Sequence, residues 1–170
     1  MKMQIPADVI EKALEGYKQE AKYLVGASVE YPKAEGIFRL GKTCYADENT
    51  NIDHFTAVES QICLNQLCYS AFGYWIKTGE LEALPVTFDE FMEMRKGSMF
   101  VTEAHTKFKR VISTGRNIQG RFKIEKSKKF GELYIAHLTF DFEDRSAYGK
   151  LEVAVKSHKP EFSIETNSVR

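Results

Sequence analysis

Little in this chain marks a disulfide frame, a nucleic-acid partner or a membrane. It has three cysteines, Cys44, Cys63 and Cys68, an odd number without zinc-type spacing. That argues against paired disulfides and for thiols that pack or react in a reducing cytoplasm. A charge excess is missing too, since Lys+Arg and Asp+Glu stand at 24 each. A nucleic-acid binder living on phosphate contacts needs a basic excess, so only a local basic patch stays open. No apolar run is long enough to span a bilayer. The opening MKMQIPADVIEKALEGYK carries acidic residues inside its apolar pattern and no signal-peptide core. The four histidines, His54, His105, His137 and His158, are scattered. No metal-ligand constellation is found, and no metal or other cofactor is expected. Repeats, linkers and low-complexity tracts are absent.

What is present is an ordinary globular composition, 43% apolar and 28% charged over 170 residues. That suits one domain with a real core. We expect the domain to cover residues 1–157 and a polar tail to cover 158–170. Val9, Ile10, Ala13, Leu14 and Tyr17 recur at helical spacing behind Pro6, which predicts a first helix. Alternation from Tyr23 to Tyr31 predicts a strand, and Gly36 to Tyr45 its partner. The stretch from His54 to Lys77, HFTAVESQICLNQLCYSAFGYWIK, is the most informative. Thr56 and Glu59 form a T-x-x-E capping box, and apolar residues on nearly every face predict a helix buried all round. Thr87 and Glu90 repeat the box over a short helix. Four strand-like runs follow, from Ser98 to Ile112, Ile118 to Glu125, Leu133 to Phe142 and Tyr148 to Lys156. This order predicts an α+β chain, with an antiparallel sheet of about six strands curled around the long helix.

Residues 36–43, Gly-Ile-Phe-Arg-Leu-Gly-Lys-Thr, fit the P-loop expression letter for letter. A P-loop needs a buried strand before it and a helix N-terminus after it. Neither flanks this match, so it is read as chance.

On the long helix, His54, Gln61, Asn65 and Tyr69 share one side if the helix extends back to His54. Glu59, Cys63, Gln66 and Ser70 form a second stripe. Two polar stripes on a buried helix need satisfying partners or a cavity. The unpaired amides of the first turn could polarise a thioester carbonyl and stabilise an oxyanion. His54 could act there as base or donor. Glu59 either serves as a general base or only closes the box with Thr56. Tyr17 and Tyr45 could each donate to an acyl carbonyl, or simply pack their rings. Cys63 and Cys68 are expected to pack. Lys107, Lys109 and Arg110 read as a solvated strand edge that could instead meet a phosphopantetheine phosphate or an acidic carrier protein.

The motif F-x-A-V-E…C-x-N-Q-L-x-Y-S-A-F, here Phe55 to Phe72, resembles the long helix of the FcoT-type thioesterase family. Leu14-Glu15-x-Tyr17, Gly41 to Tyr45, and Ser98-Met99 leading to Phe108 echo it more weakly. The resemblance implies a hot-dog fold, with the long helix sheathed in sheet, and a homodimer or higher homo-oligomer with active sites between subunits. It implies Tyr17, Tyr45 and Asn65 as active residues, with His54 and Glu59 beside them as the helix's own candidates. It implies acyl-CoA or acyl-carrier-protein substrates, and neither metal nor Ser-His-Asp triad. Some members add glycine across a 2-enoyl group on a carrier protein in isonitrile lipopeptide pathways. Lys22 or Lys107 could then grip the glycine carboxylate, with Thr56 and Tyr69 lining the substrate. Thr56 stands where Asn is expected and Lys22 where Arg is expected, which bears on substrate choice. A non-catalytic acyl- or lipid-binding module is the rival reading; it predicts ligand co-purification and no turnover.

Overall fold

The computed structural model describes residues 1–41 and 52–157. Tyr45, its flanking loop and the tail from His158 lie outside the described residues.

Helix α1 (Ala7–Leu14) buries Val9, Ala13 and Leu14 and opens behind Pro6. One 3-10 turn (Gln19–Ala21) leads into a hairpin of β2 (Leu24–Glu30) and β3 (Lys33–Arg39). Helix α2 (Ala57–Thr78) runs for 22 residues, roughly 33 Å at an ordinary helical rise. Its capping box at Thr56 and Glu59 is formed, and Gly79 closes it in the left-handed region at φ 77°. That conformation suits glycine, which has no Cβ to clash. Helix α3 (Phe88–Met94) forms the second capping box, between Thr87 and Glu90. Strands β4 (Met99–Phe108), β5 (Asn117–Phe130), β6 (Leu133–Phe142) and β7 (Ala147–Lys156) complete the chain.

With a short first strand, β1 (Met3–Gln4), one antiparallel sheet results, ordered β1-β2-β3-β5-β6-β7-β4. Among the described residues it has seven strands, where about six are expected. The extra one, β1 (Met3–Gln4), pairs Met3 with Val29 and Gln4 with Ser28. Two residues are too few to show a periodicity. Strand β3 starts at Lys33, earlier than the expected Gly36, because a two-residue turn at Tyr31–Pro32 joins it to β2. The first half of the P-loop match therefore lies within a strand.

Register separates the two faces. Lys107, Tyr148, Asp141, Arg121 and Glu35 fall in one cross-strand row, and the adjacent row is Phe108, Ala147, Phe142, Gly120 and Gly36. The apolar rows receive α2, with Phe72 and Trp75 against Phe122, and Phe55, just before the helix, packs against Phe142. The charged rows face outward. This is the hot-dog plan, a long buried helix wrapped by curved antiparallel sheet. Gly149 lies so close to β4 that a Cβ there would overlap the His105 carbonyl oxygen.

Among the described residues, strand β4 forms one edge and pairs only with β7. Its alternation does not translate into burial in a single chain, and Phe100, Val101 and Phe108 are exposed. Among the described residues, no helix is long and apolar enough to cross a membrane.

Candidate active site

The polar stripes of α2 resolve into different tasks. Gln66 is fully buried. Its Oε1 accepts from the Tyr23 and Leu24 amides at 3.0 and 2.9 Å, and its Nε2 donates to the Ala21 carbonyl at 2.6 Å. It clamps the strand entering β2 onto the helix. Ser70 donates to the Gln66 carbonyl at 2.9 Å. Cys63 and Cys68 are free and packed. Burial, and for Cys63 the nearby Glu59 charge, pushes both thiols up, Cys68 to about 12. Neither is an activated nucleophile.

Glu59 differs from these residues. It is 1% exposed. Its Oε2 accepts from the Thr56 amide at 2.9 Å and from the Thr56 hydroxyl. Its Oε1 has no partner among the described residues. A buried carboxylate with one oxygen anchored and the other unused is costly unless a ligand or proton engages it. The sequence leaves Glu59 as base or cap; Oε2 makes the cap contacts with Thr56, and Oε1 takes no part in them.

The helix does not extend back to His54. His54 bridges Ser113 in extended conformation, and the Phe55 amide donates to the Ile112 carbonyl at 2.8 Å. His54 therefore leaves the Gln61–Asn65–Tyr69 stripe. It lines a cleft of about 360 Å³ at the amino end of α2, together with Thr56, Ala57, Phe108, Lys109, Arg110 and Val111.

Asn65 and Tyr69 lie further along the helix, Asn65 being roughly 12 Å from Ala57 at an ordinary rise. The Gln61 side-chain amide donates to Asn65 Oδ1 at 2.9 Å, which fixes the Asn65 amide. Both Asn65 and Tyr69 line a narrow cavity of about 50 Å³, otherwise apolar, with Cys68, Phe72, Phe91 and Met99. Its far wall includes Phe100 and Val101 of the open β4 edge. Tyr17, just past α1, lies near Tyr69, Arg95, Cys68 and Cys63. Burial raises its phenol well above the ordinary tyrosine value, and that of Tyr69 is raised for the same reason. Both remain donors at neutral pH.

Arg95 is the residue that sequence reasoning missed. Its guanidinium lies 5.8 Å from the Tyr69 ring centroid. Its Nε donates to the Met92 carbonyl at 2.8 Å, and Nη1 donates to the Ala13 carbonyl. It thus joins α1, α2 and α3 beside Tyr17. No local motif announces it, because three separate elements create its environment. Lys22 is half-buried just after the 3-10 turn, on the segment that Gln66 clamps. Lys107 lies on the outward face of the sheet, away from α2. Among the described residues, no cluster of His, Cys, Asp or Glu could hold a metal ion.

The profile of the FcoT-like thioesterase domain matches residues 12–155. The chain belongs to the FcoT-like thioesterase family. The match extends the resemblance beyond Phe108 through β5, β6 and most of β7. Relatives of this FcoT-like chain include a (2E)-enoyl-[ACP] glycyltransferase of Mycobacterium tuberculosis (strain ATCC 25618 / H37Rv), 28% identical over 115 residues, 64% of this chain and 61% of that one. The protein of the same name from Mycobacterium marinum is 28% identical over 118 residues, 66% of this chain and 62% of that one. The matched segment thus spans about three-fifths of each relative's length. An HP0420 homologue from Helicobacter felis superposes with a TM-score of 0.51 at 12% identity, covering 88% of this chain and 91% of that one, a likeness of fold.

Proposed function

We propose that this chain adds glycine across the double bond of a 2-enoyl group held as a thioester on an acyl-carrier protein, in isonitrile lipopeptide biosynthesis in the cytoplasm. Hydrolysis of the same thioester, on carrier protein or CoA, is the competing outcome. The observation that carries the proposal is the cavity beside Asn65. A fixed side-chain amide stands at one end of an otherwise apolar hollow between α2 and the sheet edge, and Tyr17 and Tyr69 are close by. That combination suits a short acyl group whose carbonyl the amide polarises, the cavity of about 50 Å³ within one chain being too small for a long one. The names of the mycobacterial relatives support the glycine arm.

In the addition, the glycine nitrogen bonds to C3 of the enoyl group. The π electrons move towards the thioester oxygen, which Asn65 and a protonated tyrosine, Tyr17 or Tyr45, stabilise. The amine proton passes to a base and returns to C2, and the thioester stays intact. Glu59 is that base, with Oε2 anchored by Thr56 and Oε1 unused. His54, at the helix mouth, positions the nucleophile. Arg95 or Lys22 grips the glycine carboxylate. In hydrolysis, water attacks the carbonyl carbon and the carrier thiol leaves with a proton.

The assembly is a homodimer through β4. That ten-residue edge strand offers an unpaired ladder and exposed Phe100 and Val101. Antiparallel pairing of β4 with a second copy is compatible with two-fold symmetry and covers the open wall of the Asn65 cavity. The test is mass spectrometry of 2-butenoyl-carrier protein incubated with enzyme, with and without glycine. An intact thioester heavier by one glycine supports addition, and free thiol without glycine supports hydrolysis. An unchanged substrate across several chain lengths, with acyl ligand co-purifying, favours the non-catalytic binding module.

A further inference from the structure

The chain's balanced charge hides a local imbalance. Lys107 and Lys150 project from the outward face, in the rows of Tyr148 and His105 respectively. The Arg145 guanidinium lies 4.4 Å from the Tyr148 ring centroid, and Lys109 Nζ lies 5.2 Å from it. Both the Lys109 and Arg110 amides donate to the Ser146 carbonyl, at 2.8 and 3.3 Å, which brings the end of β4 onto the β6–β7 turn. Among the described residues, none of these five cations makes an ion pair. Neighbouring Arg116, Arg121 and Lys123 are paired with Glu143, Asp141 and Glu125 at 2.8, 2.8 and 2.7 Å.

The turn that presents Arg145 is itself strained. Glu143, Asp144 and Arg145 have φ of 48°, 46° and 65°, a left-handed run without glycine. Such backbone persists where its surroundings hold it, and it gathers at functional surfaces. Beside the cations, Val111 is 80% and Phe108 41% exposed. Lys109 and Arg110 also line the cleft at the amino end of α2. The patch is therefore continuous with an entrance to the helix mouth.

We infer that the cations around Tyr148, with Val111 and Phe108, form the docking surface for an acidic carrier protein, whose thioester arm enters through the cleft at the amino end of α2. This rests on the reading that the acyl group arrives on a carrier protein. Unpaired cations beside exposed apolar side chains complement an acidic, partly apolar helix face, and such charge complementarity sets encounter rate and orientation.

The test titrates the full-length protein with a purified acidic holo-acyl-carrier protein at low and high salt, using wild type and Lys109→Glu/Arg145→Glu. Binding is expected to weaken with salt and to fall about tenfold or more in the double variant. Turnover of a 2-butenoyl thioester of free pantetheine, measured on the single variant Arg145→Glu, is expected to stay unchanged, because Arg145 lines neither the cleft at the helix mouth nor the Asn65 cavity. Lys109→Gln/Arg145→Gln, expected to lose less, controls for misfolding, with thermal melts recorded for each. Three results overturn the inference: no binding of the carrier protein, binding indifferent to the variants, or equal affinity for heparin or anionic vesicles. If neither thioester is turned over while patch-dependent binding persists, the enzymatic reading fails and the docking surface stands.

Discussion

Replacing Gln66 with leucine tests whether the second polar stripe is structural. The substitution keeps volume and removes three hydrogen bonds at once, orphaning the Tyr23 and Leu24 amides and the Ala21 carbonyl. A buried polar group left without a partner costs about 1–3 kcal/mol, so three cost roughly 3 kcal/mol even at the low end. Set against a total stability of about 5–15 kcal/mol, that is a large fraction. In a chain of this size each kcal/mol moves the melting temperature by about 2–4 °C, so Gln66→Leu should melt roughly 6–12 °C lower. Gln66→Glu should fall between, since a carboxylate still accepts from both amides but faces the Ala21 carbonyl with no donor. Circular dichroism melts of the three proteins decide it. A Gln66→Leu Tm within about 2 °C of wild type would refute the clamp.

Glu59→Gln keeps an oxygen for the Thr56 amide and removes the proposed base, so Tm should hold while the rate of the proposed glycine addition falls about a hundredfold or more. Equal rates would move the base elsewhere. Gly149→Ala should push β4 away, because the new methyl would overlap the His105 backbone carbonyl and also meet the Phe140 ring. The expected result is loss of the proposed dimer by sedimentation together with a lower Tm, and an unchanged assembly and Tm would contradict the close approach. Burial raises the Tyr17 phenol, so the folded state holds its proton more tightly than the unfolded chain does. That contribution is complete below the unfolded value of about 10 and is lost as pH rises from there through the raised folded value. Urea melts should therefore show stability falling above that pH, less steeply in Tyr17→Phe, and parallel curves would refute it.

What the sequence could reveal followed the range of each interaction. Both capping boxes are four-residue signals, and both form as read. β6 spans the expected residues because its inward side chains, Tyr134 to Phe142, alternate without interruption. The two-residue β1 had no such signal. His54 was joined to the helix by spacing alone, whereas the backbone before Thr56 pairs with Ser113 instead. For Lys107, alternation gave a strand but not which face met α2, and only the register with β7 decides that. Arg95 depends on the convergence of three helices, which no local pattern encodes. The proposed role of Tyr45 concerns a residue outside the described ones.

The most direct measurement is a structure of the protein with a non-cleavable amide analogue of 2-enoyl-pantetheine. The account predicts the amide oxygen within about 3 Å of the Asn65 side chain or the Tyr17 hydroxyl. The acyl tail should run along Phe72 and Phe91. An analogue lying in the charged trough on the outward face of the sheet, with the Asn65 cavity empty, would contradict it.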